Sequence, residues 1–161
     1  MSIEKSCISY FNSPLGPILL EADDQFLYKV NFTERMGPIN GKHKILKQAT
    51  EQFTEYFKGT LRNFDLPLKP IGTPFQQRVW EALKTIPYGQ TMSYMQLSEQ
   101  LGNTKAIRAV AHSNGRNPLA IIIPCHRVIG SNGKLVGYAG GLDRKRWLLN
   151  FESVNSGLSL F

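Results

Sequence analysis

Cysteine is scarce in this chain of 161 residues: there are two, Cys7 and Cys125. Cysteines so far apart make no disulfide framework, and both read as reduced thiols of a cytosolic compartment. Histidine is nearly as sparse. His43, His112 and His126 share no ligand spacing with the cysteines, which argues against a structural zinc site. No stretch approaches the ~20 apolar residues of a membrane helix. The opening MSIEKSCISYF holds no apolar run of signal-peptide length. The expectation is a cytoplasmic, monomeric protein with no membrane partner, no cofactor and no metal. The most telling shortage is of acid. Between residues 71 and 161 there are four acidic side chains, Glu81, Glu99, Asp143 and Glu152, against ten lysines and arginines. The first seventy residues carry nine basic against eight acidic groups, so most of the formal +7 belongs to the second part. A one-sided positive field suits a polyanion such as nucleic acid, the alternative being a solvated basic surface with no partner.

What is present divides the chain near residue 70. CISYFNS, PILLEAD and FLYKVNF read as three short strands, with turns at SPLG (13–16) and ADDQ (22–25). Strands so close in sequence pair antiparallel. A helix from His43 to Lys58 follows, with Ile45, Leu46, Ala49, Phe53, Tyr56 and Phe57 on one face and Gly59 as its stop. LRNFDLPLKPIG is aperiodic and proline-bearing and reads as a linker. The expected fold class is α+β. Residues 1–70 form a small antiparallel sheet plus helix with the linker. Residues 71–161 form a mostly helical domain with a helix-turn-helix and a short hairpin carrying Cys125.

Helix signals open the second part. Thr73 can cap, Pro74 takes the first helical position, and Gln76 completes a capping box. Ser93 and Gln96 make a second box over YMQLSEQL, and a turn at Gly102–Asn103 leads to a third helix over 104–113. Two short helices joined by a tight glycine turn resemble a helix-turn-helix. The third helix is rich in alanine, at 106, 109 and 111, with Lys105, Arg108 and His112 along one side. Small side chains let a backbone approach a groove and basic ones reach phosphates; an alanine-rich helix packed on a neighbour would look similar.

LAIIIPCHRVIG reads as an apolar strand, and SNGK (131–134) as a hairpin turn that returns through LVGYAGG. A final helix from about Asp143 is expected to bury Trp147, Leu148, Phe151 and Val154. A lone cysteine in an apolar run is ordinarily an inert core residue. Here Pro124 interrupts the ladder, His126 can accept a proton, and Arg127 offers positive charge that favours a thiolate. Residues 125 and 126 of a regular strand face opposite ways, so a proton path needs irregular backbone or a bridging water. Glu152 is one of few acids available to orient His126 in a Cys–His–acid relay.

IPCHRVIG (123–130) resembles the signature of the O6-alkylguanine-DNA alkyltransferases, also called methylated-DNA–protein-cysteine methyltransferases. TPFQQRVWEAL, IPYGQTMSY, KAIRAV, Asn117–Pro118 and GYAGGLDRKRWLLNFE follow that family's order and spacing, and SPLGPILLEAD resembles its first hairpin. The resemblance implies that Cys125 accepts an alkyl group and that His126, held by Glu152, takes its proton through a water. It implies that Asn117 bonds around the turn into the active site and that Tyr94 contacts a flipped guanine. Arg108 would fill the vacated base stack, Tyr138 would flank the base, and Lys105, Ala109 and Arg116 would lie against DNA. Ala139 stands where some members carry a serine, which removes a hydroxyl donor to the guanine O6. The implied partner is double-stranded DNA containing O6-alkylguanine.

Overall fold

The computed structural model describes residues 5–157. They form two compact units, one of residues up to 71 with 118–122, the other of 72–117 with the residues from 123 onward.

In the first unit, strands β1 (Cys7–Ser13), β2 (Gly16–Ala22) and β3 (Leu27–Phe32) make an antiparallel meander in that order. The period-2 pattern explains it: Ile18, Leu20 and Ala22 alternate inward on β2, and Leu27, Tyr28 and Val30 are buried on β3. Helix α1 (Lys44–Lys58) brings Leu46, Ala49, Phe53 and Tyr56, none of them exposed. Its Phe53 ring lies 5.8 Å from Phe11 of β1 and 5.0 Å from Phe64. His43 caps its start. Gly59, at φ 83°, closes its end with an N–H donated to the Glu55 and Tyr56 carbonyls, a conformation costly for other residues. The segment read as a linker is partly fastened. Leu27 N–H donates to Pro67 O and Lys69 N–H to Leu27 O, which covers part of the β3 edge.

Residues 118–122 pair with the same edge: Val30 N–H donates to Pro118 O and Ala120 N–H to Val30 O. This corrects the reading of LAIIIPCHRVIG as a strand. Leu119 makes one isolated bridge to Val30, and the chain then turns. Ile121 sits at φ 70°, a strained conformation for a β-branched residue. Apolarity signalled burial here, and a buried turn satisfies it as well as a strand does.

In the second unit, α2 (Pro74–Leu83) and α3 (Tyr94–Gln100) both begin with complete capping boxes, Thr73 with Gln76 and Ser93 with Gln96. Gly102, at φ 81°, makes the turn, a 3-10 turn over Thr104–Ala106 follows, and α4 spans Ile107–Gly115. Trp80 Nε1 donates to Ser113 O at 2.9 Å, fastening α2 to α4. Two-residue strands β4 (Met92–Ser93) and β5 (Val128–Ile129) pair in parallel. The turn after Gly130 forms, with Gly130 N–H donating to Lys134 O, but no paired return strand follows it. Helix α5 (Leu142–Asn155) buries Lys145, Leu148, Glu152 and Ser153. Trp147 and Phe151 are half-buried and stack at 4.8 Å, whereas Val154 points to solvent at 77 % exposure, against the expected apolar face.

Candidate active site

Cys125, His126 and Arg127 form a single 3-10 turn between Pro124 and β5. Pro124 cannot donate to a ladder, and its carbonyl instead accepts from Arg127 N–H at 3.0 Å. The turn abolishes the strand alternation that would have sent neighbouring side chains to opposite faces. All three residues are buried.

An ionic cluster lies behind the cysteine. Glu152, from α5, receives His126 Nε2 on Oε2 at 2.9 Å. Arg127 grips the same carboxylate, with Nε to Oε1 at 2.7 Å and Nη2 to Oε2 at 3.0 Å, and its Nη1 donates to Ile86 O at 2.7 Å. Burial works to raise the Glu152 pKa. The His126 interaction and the two Arg127 bonds overcome it and hold the carboxyl well below its usual range. An ionised carboxylate only accepts, so the His126 proton is on Nε2. Nδ1 is buried and has no hydrogen-bond partner among the described residues.

Burial pushes the Cys125 thiol above its ordinary value, opposed by a hydrogen bond from Asn117 and by the positive charge of Lys145. The resting sulfur is therefore a thiol, and reactivity requires a proton acceptor. Arg127 does not play the part expected of it, because its guanidinium is committed to Glu152 and Ile86. The cation that acts on the sulfur is Lys145. Its ammonium, with no solvent exposure, donates to the carbonyls of Val128 (2.5 Å), Val136 (3.3 Å) and Gly137 (3.1 Å). Burial lowers its pKa to about 8, opposed by the charge that Cys125 carries when ionised.

The β4–β5 ladder sets the start of α3 beside the Cys125–Arg127 turn. Tyr94 Oη donates to Val136 O at 3.1 Å and lies 3.4 Å from Asn114 Nδ2, which also donates to Cys125 O at 3.3 Å. Asn117 Nδ2 donates to Ile123 O at 2.8 Å. Tyr138 is half-buried, its ionisation opposed by burial and then by charge on Cys125. Tyr94, Asn117, Tyr138 and Lys145 thus surround one sulfur. Lys105, Arg108, Ala109, His112 and Arg116 are all exposed, at helical spacing along α4 and its approaches, while Val110, Ser113 and Asn114 face inward. A cavity of about 410 Å³ opens elsewhere, between Gly89–Thr91, Ile129, Leu135 and α5, and Cys125 does not line it.

Residues 74–154 match the 6-O-methylguanine DNA methyltransferase DNA binding domain, and residues 7–70 its ribonuclease-like domain. The chain belongs to the 6-O-methylguanine DNA methyltransferase family. A methylated-DNA–protein-cysteine methyltransferase of Methanosarcina acetivorans is 50 % identical over 148 residues, 88 % of this chain and 95 % of that one. The crystal structure of Mycobacterium tuberculosis O6-methylguanine methyltransferase superposes with a TM-score of 0.85 at 44 % identity, covering 93 % of this chain and 94 % of that one. Mycobacterium tuberculosis OGT in complex with DNA superposes with a TM-score of 0.85 at 45 % identity, over 92 % and 93 % of the two chains.

Two members of the cluster escaped sequence reasoning. Asn114 looked like an ordinary residue near a helix end. Lys145 lay within GYAGGLDRKRWLLNFE, where no role was read for it. A signal for Lys145 was available: it falls one α-helical heptad before Glu152, which places both on the same side of α5.

Proposed function

We propose that this protein repairs O6-alkylguanine in double-stranded DNA by moving the alkyl group, typically methyl, onto Cys125, once per chain, as a cytoplasmic DNA-binding monomer. The observation that carries this is the buried contact of His126 Nε2 with the Glu152 carboxylate at 2.9 Å. An ionised Glu152 holds the proton on Nε2 and leaves Nδ1 as a base next to the only cysteine in the basic unit.

The O6 atom lies within the stacked duplex, so the nucleotide must be everted before its alkyl carbon can meet the sulfur. Unstacking costs a few kcal/mol, offset by phosphate contacts and by Arg108 filling the gap. Lys105, Ala109 and Arg116 lie along the DNA, and Tyr94 and Tyr138 border the everted base. The Cys125 proton passes through water to His126 Nδ1. The Sγ–C bond forms as the C–O6 bond breaks, and that electron pair goes to the purine. With Ala139 at the rim, the backbone N–H is the donor left for O6. The product is a thioether, a poor leaving group, so the alkyl stays.

The test is intact mass after incubation with a duplex carrying O6-methylguanine. A gain of about 14 Da on Cys125, absent in Cys125→Ser, is expected because the thiolate is the nucleophile. Many turnovers per chain would refute the single-use reading. A duplex carrying O4-methylthymine in the same assay defines the range of bases.

A further inference from the structure

We propose that Asn114 is a positioning residue for alkyl transfer, one that fixes which way the Tyr94 hydroxyl points its proton and ties that hydroxyl to the acceptor turn. The inference rests on the alkyl-transfer reading and deepens it.

The amide orientation follows from its neighbours. The Cys125 carbonyl can only accept, so Nδ2 must face it, at 3.3 Å. The same Nδ2 lies 3.4 Å from Tyr94 Oη. An NH2 group only donates, so the phenol oxygen must accept there, and its single proton must go elsewhere. At rest it goes to Val136 O, 3.1 Å away. That carbonyl also receives Lys145 Nζ at 3.3 Å, so Tyr94 can turn its proton toward a ligand without leaving Val136 O orphaned. Tyr94 is thus set to donate to an acceptor atom on the everted nucleotide, and one amide ties its hydroxyl to the backbone of the turn that carries Cys125. Among the described residues no group bonds Asn114 Oδ1, so the hydrogen bonds this buried carboxamide makes to them run through Nδ2. Asn114 sits on the buried side of α4, whose opposite face carries Arg108 and Ala109. The amide therefore links the DNA-facing helix to the reacting cysteine.

A double-mutant cycle tests this. Single-turnover transfer from an O6-methylguanine duplex is followed with protein in excess, giving the saturating rate and the half-saturating concentration separately. Asn114→Leu should lower the saturating rate about tenfold and move half-saturation less than about threefold; in a Tyr94→Phe background the same change should cost under about threefold, since the shared hydroxyl is gone. Costs that simply multiply would overturn the inference, as would a change confined to half-saturation. Asn114→Asp covers the case in which the leucine variant fails to fold. Its ionised carboxylate accepts from Tyr94, and its protonated form can donate again. Its rate should therefore rise, relative to the unmodified protein, as pH falls toward carboxyl protonation; a constant ratio across pH would count against the proposal. An unmodified protein that leaves the methyl on DNA would instead sink the alkyl-transfer reading itself.

Discussion

The two units bury different things. In the first, the buried Ser, Asn, Gln and charged side chains among the described residues are two serines, Ser9 and Ser13, within a core of aliphatic and aromatic groups. The second buries His126, Arg127, Lys145 and Glu152 along with Asn114 and three serines. Taking an ion out of water costs several kcal/mol, and a buried ion pair is often no more stable than a hydrophobic replacement of the same volume. The second unit therefore carries a cost the first does not. What it gains is a defined protonation pattern: an ionised Glu152, a His126 with its proton on Nε2, and an uncharged Cys125. The first unit buries an apolar core; the second adds paired charge to its own apolar core, and removing one member exposes the difference.

The largest effect should come from the sulfur. Cys125→Ser should abolish the about 14 Da mass gain while leaving duplex binding intact, because only the nucleophile is lost. Next comes the ionic cluster. Glu152→Ala strands the buried Arg127 guanidinium and the buried His126 N–H and should cost about 3–5 kcal/mol in denaturant unfolding of the second unit, together with the transfer rate. Phe53→Ala should cost the first unit a similar about 3–5 kcal/mol, by cavity formation alone. That penalty should be insensitive to salt and pH. A Phe53→Ala penalty that tracked pH would break the comparison.

The pH dependence sharpens it further. The Glu152 pKa is depressed in the fold, so its contribution is complete above the ordinary carboxyl value of 4.5 and is lost as pH falls through and below it. Thermal unfolding of the second unit should drop over that acid range, and Glu152→Gln should flatten the drop. Parallel curves for the two proteins would mean that the carboxylate is not held ionised. The smallest effect is at the exposed face of α4. Arg108→Ala should weaken duplex binding and reduce the slope of log K against log salt by about 0.9 if its guanidinium neutralises one phosphate. An unchanged slope in a weakened variant would assign Arg108 to the base stack alone.

Local elements were legible because their signals are local. The capping boxes at Thr73 and Ser93 satisfy helix-end N–H groups within four residues, so their spelling suffices. The three strands followed from period-2 alternation, and Gly59 from the need for a left-handed stop. The region around Cys125 was less so. LAIIIPC spells burial, and burial is shared by strands and turns; the positive φ of Ile121 is imposed by surroundings that no short window contains. Val154 continued an apolar stripe on paper yet faces solvent, because α5 turns Lys145, Leu148 and Glu152 inward instead. Arg127 looked like an aid to the thiol because it is two residues away. Its length let it reach Glu152 and Ile86, and Lys145, twenty residues on, took the role.

By itself the sequence determined the α+β order, the helix-turn-helix, the charge asymmetry and the Cys–His pair, all of which depend on neighbours within a few residues or on composition. Only the tertiary structure decided that Cys125 is held as a thiol, that His126 meets an ionised Glu152, and that Asn114, Tyr94 and Lys145 gather at the turn that carries Cys125. Those depend on burial and on distances between groups far apart along the chain, and desolvation and Coulomb energies have no value until the fold has set both.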